Sequence, residues 1–280
     1  MKDHLLSSRE RKQARISVIT FEMVDSLESI DGAGDRSCPL LPLPEKALYL
    51  VQQYAKYRQL PDIPSQDVIE EQVEEIWHSL LDNNCMNYTC LYNGGFLRPT
   101  VTKHPYWKTV KGIAQQLSFT CVLDVGCGLG GDARVLQMEL SSGCPGLKIV
   151  GSDRCSLLMK LGCKIFGDCD DHNIQFLTGD ATDPDFCTIL HERVFDIIYA
   201  GKFLHCFDTK GEVSQVLSNI HSLLSKRSGI FFGVYGRNPP WIYSDRVDFE
   251  DVMNSEGFKL IMIEEEATGG TWFAATIQSR

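Results

Sequence analysis

Val122-Leu123-Asp124-Val125-Gly126-Cys127-Gly128-Leu129-Gly130-Gly131-Asp132 is the stretch that decides the fold. An apolar run that ends in an acid and breaks into glycines at alternate positions reads as a strand entering a tight bend, with a helix beginning beyond it. In an open α/β sheet the crevice lies outside the carboxyl ends of the strands, where glycines let the backbone come close to a ligand. The stretch is therefore expected to be a ligand-holding loop, and the N-terminal amides of the next helix should face the same ligand. A tight turn with no ligand is the plain alternative. It leaves the glycines unexplained, because each one weakens the element it interrupts.

Downstream of the loop, short apolar runs alternate with amphipathic stretches. The runs are CVLDVG (121–126), KIVGSD (148–153), IQFLTGD (174–180), FDIIYAG (195–201), GIFFGVYG (229–236), FKLIMIEE (258–265) and TWFAATIQ (271–278). They read as seven strands, with helices over 131–140, 156–166, 185–191, 212–224 and 244–256. Strand–helix alternation with apolar strands indicates a mostly parallel sheet covered on both faces. Only Ala267-Thr268-Gly269-Gly270 joins the last two strands, too short for a crossover, so they should pair antiparallel. The fold class expected is α/β, Rossmann-like.

Upstream, residues 45–81 carry apolar residues at helical spacing, such as Leu48, Val51, Tyr54 and Ala55, then Val68, Val73, Ile76, Trp77 and Leu80. Pro61 and Pro64 divide them into two stretches. Residues 83–105 are rich in Asn, Gly and aromatics and read as irregular, before a helix over 107–117. Residues 1–44 lack a sustained period and include the proline cluster Pro39-Leu40-Leu41-Pro42-Leu43-Pro44. Three segments are expected: a flexible arm over 1–44, a helical and irregular substrate cover over 45–109, and a ligand-binding core over 110–280.

The chain has 280 residues, 43% hydrophobic and 23% charged, with a formal net charge of −10. That balance excludes disorder throughout and argues against nucleic acid, which needs Lys and Arg against phosphate. Residues 1–15 are the exception: Lys2, Arg9, Arg11, Lys12 and Arg15 against Asp3 and Glu10 give +3, read as a solvated end. No apolar run reaches the roughly 18 residues a membrane span needs, and no secretory leader is read at the N-terminus. A cytoplasmic protein is expected. The eleven cysteines are odd in number and include no C-x-x-C spacing, so they read as reduced packing residues, with no metal site.

Two cofactor types fit the loop. Gly126-x-Gly128-x-x-Gly131 satisfies the dinucleotide spacing, and Asp124-x-Gly126-x-Gly128-x-Gly130 that for S-adenosylmethionine. Charge separates them: Asp124 and Asp132 would repel a pyrophosphate and favour an ammonium and a sulfonium. Ser152 and Asp153 end the second strand, with Asp153 placed to accept ribose hydroxyls or else to cap the helix over 156–166. Asp180 and Ala181 follow the third strand, where an adenine amino group would lie. A turn role for Asp180 is the alternative. The fourth strand ends at Ala200-Gly201, beside the transferable methyl, with Lys202, Phe203, His205 and Phe207 behind it.

The set LDVGCGLGGD, VGSD, GDATD and FDIIYAGKFLHCF resembles a class I S-adenosylmethionine-dependent methyltransferase. Over roughly residues 65–280, including CLYNGGFLRPTVTKHPYW and GTWFAATIQ, the chain is similar to fungal meroterpenoid-type O-methyltransferases, which esterify carboxyl groups of polyketide–terpenoid intermediates. The resemblance implies a central seven-stranded sheet with an antiparallel last strand, a helical N-terminal cover and no metal. It also implies methylation of a small molecule in secondary metabolism, the expected partners being that acceptor and a second copy of the chain. A carboxylate acceptor needs no base, whereas a hydroxyl would. His205, near the fourth strand end, is the first candidate base, and His104 in Lys103-His104-Pro105 the second, though each also reads as a packed side chain or turn. Tyr88, Tyr92, Phe96, Tyr106, Trp107 and Trp241 are candidates for an apolar pocket lining. Two further readings stay open: a cyclase or isomerase that uses the bound sulfonium as fixed charge, and a non-catalytic module of the same fold.

Overall fold

A computed structural model describes residues 45–82, 97–169, 174–235, 246–265 and 270–278. All of them fall in one compact unit, Leu40–Arg280; the expected arm over 1–44 lies outside the described residues. Seven strands form one sheet: β1 (Thr120–Val125), β2 (Leu147–Asp153), β3 (Ile174–Thr178), β4 (Ile197–Gly201), β5 (Ile230–Tyr235), β6 (Phe258–Glu265) and β7 (Thr271–Ile277). Their order is β3-β2-β1-β4-β5-β7-β6. The pairs β1–β2, β2–β3, β1–β4 and β4–β5 are parallel. β7 enters between β5 and β6 and runs antiparallel to both, the hairpin partner that the short joint requires.

The helices are α1 (Glu45–Tyr57), α2 (Gln66–Asp82), α3 (Trp107–Gln116), α4 (Gly131–Leu140), α5 (Ser156–Phe166), α6 (Phe186–Ile189), α7 (Lys210–Leu223) and α8 (Arg246–Ser255). α4 and α5 have the bounds read from the sequence. The sheet is buried on both sides because the strand period of 2 sends alternate residues to opposite helix layers. Val122, Ile197, Tyr199 and Phe232 pack on one face with the apolar stripes of α1 to α5. Leu123, Val125, Ile198 and Phe231 pack on the other with α6, α7 and α8. α7 starts with a full capping box, in which Glu212 N–H donates to Thr209 Oγ1 and the Glu212 carboxylate accepts from Thr209 N–H.

The order β3-β2-β1-β4-β5 reverses direction between β1 and β4, since β1 leads to β2 on one side and β4 starts on the other. Adjacent connections leave that point on opposite faces, so a crevice opens at the carboxyl ends of β1 and β4. β1 stops at Val125, opposite Ser152 of β2, and Asp124 pairs with Tyr199 of β4. The residues that follow these strands surround the crevice.

Candidate active site

The bend after β1 is built by three left-handed glycines: Gly126, Gly128 and Gly130 have φ of 69°, 55° and 76°. They serve different ends. A Cβ on Gly126 would sit 2.1 Å from Cδ2 of Phe203, so this glycine makes room for a protein ring. A Cβ on Gly128 would meet nothing within 4 Å, and Gly128 lines the pocket; here the missing side chain leaves space for a ligand. Gly126 lines the pocket as well, so of the three alternate glycines Gly126 and Gly128 border the ligand space, Gly126 also making room for Phe203. Gly130 is the N-cap of α4 and is not among the lining residues.

Arg134, fully buried in α4, fixes this bend. Its Nη1 donates to the carbonyls of Leu129 (2.7 Å) and Gly130 (2.9 Å). Nε and Nη2 donate to the two carboxylate oxygens of Asp168, both at 2.7 Å. The guanidinium also lies over the rings of Phe166 (4.2 Å) and Phe176 (5.1 Å). A buried charge persists only when paired and fully hydrogen-bonded, and both conditions are met. Arg134 was not legible beforehand, because a single Arg in an amphipathic helix reads as solvated.

The pocket is walled by Asp124, Ser152, Asp153, Asp180 and Ala181 from the strand ends, all five expected there. Asp124 is 3% exposed, and its Oδ2, like Ser152 Oγ, is buried with no hydrogen-bond partner. Burial pushes the Asp124 carboxyl well up from its ordinary range; Asp132 raises it further, the Ala133 amide pulls it back, and Asp153 adds to the rise. A buried orphan acceptor costs free energy unless a ligand satisfies it. An acidic cluster of this kind fits a cation and rejects pyrophosphate.

Asp153 Oδ2 accepts the Gly128 amide and Oδ1 the Cys155 amide, each at 2.9 Å. It ties β2 to the glycine bend and does not cap α5, whose N-cap is Cys155. Each oxygen keeps a lone pair for a ribose hydroxyl. Burial raises the Asp153 pKa. Asp180 Oδ1 accepts both the amide (2.9 Å) and hydroxyl (2.8 Å) of Thr182. The loop beyond β3 is held from below by Asn219 of α7, which donates to the carbonyls of Ala181 (2.9 Å) and Asp183 (2.8 Å).

Ala200, fully buried, does not line the pocket; its neighbour Gly201 does. Lys202 follows at φ 55°, a strained backbone for a non-glycine residue, and with Phe203, Cys206 and Phe207 lines the side beyond β4.

Neither histidine is among the lining residues. His104 is 2% exposed and turned into the sheet: its Nε2 lies 3.1 Å from Gly233 O and 3.0 Å from Phe273 O. Both are acceptors, so Nε2 carries the proton and donates to them. Nδ1 accepts the Tyr106 amide at 3.0 Å, and the ring packs edge-on against Phe232 and Trp272. Burial takes its pKa down to about 4 against the lift from the two carbonyls. His104 is a strut of the sheet because both nitrogens are committed. His205, in the turn Leu204–Cys206, is an exposed residue whose ring is nonetheless crowded by protein. That crowding and the Lys202 ammonium lower its pKa to about 4. Of the aromatics expected in the pocket, Trp107 is core and Tyr106 half-buried, neither among the lining residues. Tyr88, Tyr92, Phe96 and Trp241 lie outside the described residues.

Sequence reasoning missed one wall. Arg98 and Thr100, from the segment before α3, line the pocket 24 or more residues upstream of Asp124. Their signal was only the irregular composition of that segment.

Residues 123–230 match the family model described as "Methyltransferase domain". The chain is 29% identical over 64% of its length to O-methyltransferase atr3 of Stereocaulon alpinum, covering 48% of that protein. It is 28% identical over 58% of its length to sterol 24-C-methyltransferase ERG6 of Saccharomyces cerevisiae, covering 37% of it. The chain thus spans less than half the length of these relatives. Among solved structures, it superposes on a TehB-like SAM-dependent methyltransferase of Corynebacterium glutamicum with a TM-score of 0.50 at 18% identity. That match covers 74% of this chain and 97% of the other. With the strand order, the glycine bend and the acid-lined crevice, these likenesses identify residues 123–230 as a class I, S-adenosylmethionine-dependent methyltransferase domain.

Proposed function

We propose that the chain is an O-methyltransferase that transfers the methyl group of S-adenosylmethionine to a carboxyl or hydroxyl group of a small polyketide- or terpenoid-like molecule in fungal secondary metabolism. One observation carries the cofactor half of this reading: Asp124 Oδ2 and Ser152 Oγ, buried and unpartnered, face a pocket whose other strand-end acids are Asp153 and Asp180. When bound, S-adenosylmethionine supplies an electrophilic methyl carbon on a sulfonium.

The residues of the chain do the rest. Asp124 and Ser152 receive the cationic amino acid portion, Asp153 the ribose hydroxyls, and Asp180 with Ala181 the adenine edge. Gly128 leaves the space between them open. Gly201, Lys202, Phe203 and Phe207 bound the acceptor side, and orienting the acceptor there is the main source of rate, as effective molarities of roughly 10⁵–10⁸ M allow. Among the described lining residues there is no histidine, which favours an acceptor already ionised at neutral pH over one that needs a base. Segment 45–109 acts as the cover and 110–280 as the core. The O-acceptor is supported by the likeness to atr3; the likeness to ERG6 supports carbon as the second reading. No described helix is long and apolar enough to cross a membrane, which accords with a cytoplasmic site of action. A homodimer is the proposed assembly.

The test has two arms. Calorimetry should show S-adenosylmethionine and S-adenosylhomocysteine binding while NAD does not; the reverse would overturn the reading. Incubation of the protein with trideuteromethyl-labelled cofactor and fungal metabolite extracts, followed by mass spectrometry, should show small acids or phenols carrying the labelled methyl. Label on carbon alone would favour the second reading.

A further inference from the structure

Asp132, on the first turn of α4, lines the pocket two residues past the glycine bend, yet its oxygens are already spoken for. Oδ1 accepts two consecutive backbone amides, those of Thr100 and Val101, each at 2.8 Å. Oδ2 lies 3.4 Å from the Thr100 hydroxyl. That hydroxyl is in turn 2.6 Å from the buried phenol of Tyr199 on β4. A chain of hydrogen bonds therefore runs from the middle of the sheet, Tyr199 to Thr100 to Asp132, and closes on a segment 31 and 32 residues upstream of the carboxylate. The segment so held is the turn Val101–Lys103 with its flanks, and it delivers Arg98 and Thr100 to the pocket wall. Thr100 is 7% exposed and Val101 fully buried, so the donor side of the clamp is shielded from water, while Asp132 is half-buried at the pocket edge.

We propose that Asp132 is a positioning residue that clamps segment 97–103 into place as the pocket wall bounding the acceptor space, and that it is not a charge partner of the cofactor. This rests on the reading of the pocket as a methyl-transfer site, and it divides the two pocket acids by task. Asp124 keeps an unpartnered oxygen for a ligand, whereas Asp132 spends its oxygens on the chain itself. The donors do not require a full charge. An asparagine carbonyl at 132 would accept both amides in the same place, and its amide nitrogen would donate to the Thr100 hydroxyl, which would then donate to Tyr199.

Hydrogen exchange on peptides covering 97–106, with calorimetry of S-adenosylmethionine, tests this on the full chain in wild type, Asp132→Ala, Asp132→Asn and Tyr199→Phe. Asp132→Ala is expected to speed exchange of 97–106 by roughly tenfold or more while peptides of β1, β2 and β4 stay protected, because local opening there no longer breaks the clamp. Tyr199→Phe should give a smaller increase. Asp132→Asn should restore protection and bind the cofactor within about threefold of wild type, as a lost position is rescued by the amide but a lost charge is not. Unchanged 97–106 exchange in Asp132→Ala overturns the proposal. So does a cofactor affinity in Asp132→Asn that falls as far as in Asp132→Ala. Failure of wild type to bind S-adenosylmethionine sinks the functional reading instead, and the exchange comparison still decides the clamp.

Discussion

Asp124→Asn isolates the charge on which the cofactor reading depends. The side chain is 3% exposed, its Oδ2 is unpartnered, and Asp132 and Asp153 add repulsion to the cost of burial. A cation placed about 4 Å from such a carboxylate gains roughly 4 kcal/mol at an effective dielectric constant near 20. Removing one partner of a close buried charge pair costs about 2–5 kcal/mol. With a middle value of about 3 kcal/mol, Asp124→Asn should bind S-adenosylmethionine roughly a hundredfold more weakly in calorimetry. The unliganded protein should respond the other way. The folded pKa of Asp124 is raised above its unfolded value near 3.9. The penalty is therefore absent below about pH 4, grows as pH climbs toward the folded pKa and is constant above it. In thermal melts without ligand, the stability of Asp124→Asn relative to wild type should rise from acid to pH 8. A variant that binds the cofactor within about threefold of wild type, or whose relative stability ignores pH, would refute the reasoning.

The glycines separate by assay. Gly126→Ala forces a Cβ into Phe203 at positive φ and should lower stability by about 2–4 kcal/mol in denaturant melts, whereas Gly128→Ala meets open space, should cost only about 1–2 kcal/mol, and should weaken cofactor binding at least about tenfold. Arg134→Met strands Asp168 in the interior; a loss of about 3–5 kcal/mol is expected, with much of it recovered when Asp168→Leu is added, as a double-mutant cycle would show. His104, lowered to about 4, must stay neutral for Nδ1 to accept the Tyr106 amide. Its contribution is full above pH 6.5 and is lost as pH falls toward 4, up to about 3 kcal/mol. His104→Gln should flatten that acid limb of the stability profile while leaving the pH dependence of methyl transfer, measured with labelled cofactor, unchanged.

The sheet was legible because burial on both faces forces apolar runs with sharp ends, and each of the seven runs became a strand. Helices α4 and α5 were legible to the residue, with left-handed glycines at two of their ends, Gly130 before α4 and Gly167 after α5. The strand-end acids were found for the same local reason: they sit within a few residues of the signal that exposes them. What escaped was long-range. Nothing near Asp132 in the sequence shows that its carboxylate is consumed by amides 31 and 32 residues earlier. Nothing near His104 shows that its ring will meet carbonyls of β5 and β7. Nothing near Gly126 shows that a ring 77 residues away, that of Phe203, fills the space a Cβ there would need. Residue chemistry is local, but whether a polar group is free or already satisfied is a property of the packed molecule.

The wedge of β7 between β5 and β6 sets an order of assembly. The His104 ring grips Gly233 across 129 residues of chain and Phe273 across 169. Closing loops of that length is slow relative to forming local helices and adjacent parallel strands. The glycine bend and its flanking acids, all between β1 and the end of β3, can therefore mature first, while the segment from 97 to 106 stays unanchored at its far end until the last described strand docks. During synthesis, a nascent chain would hold its ligand cradle and the clamped part of that wall before the His104 end locked into the sheet.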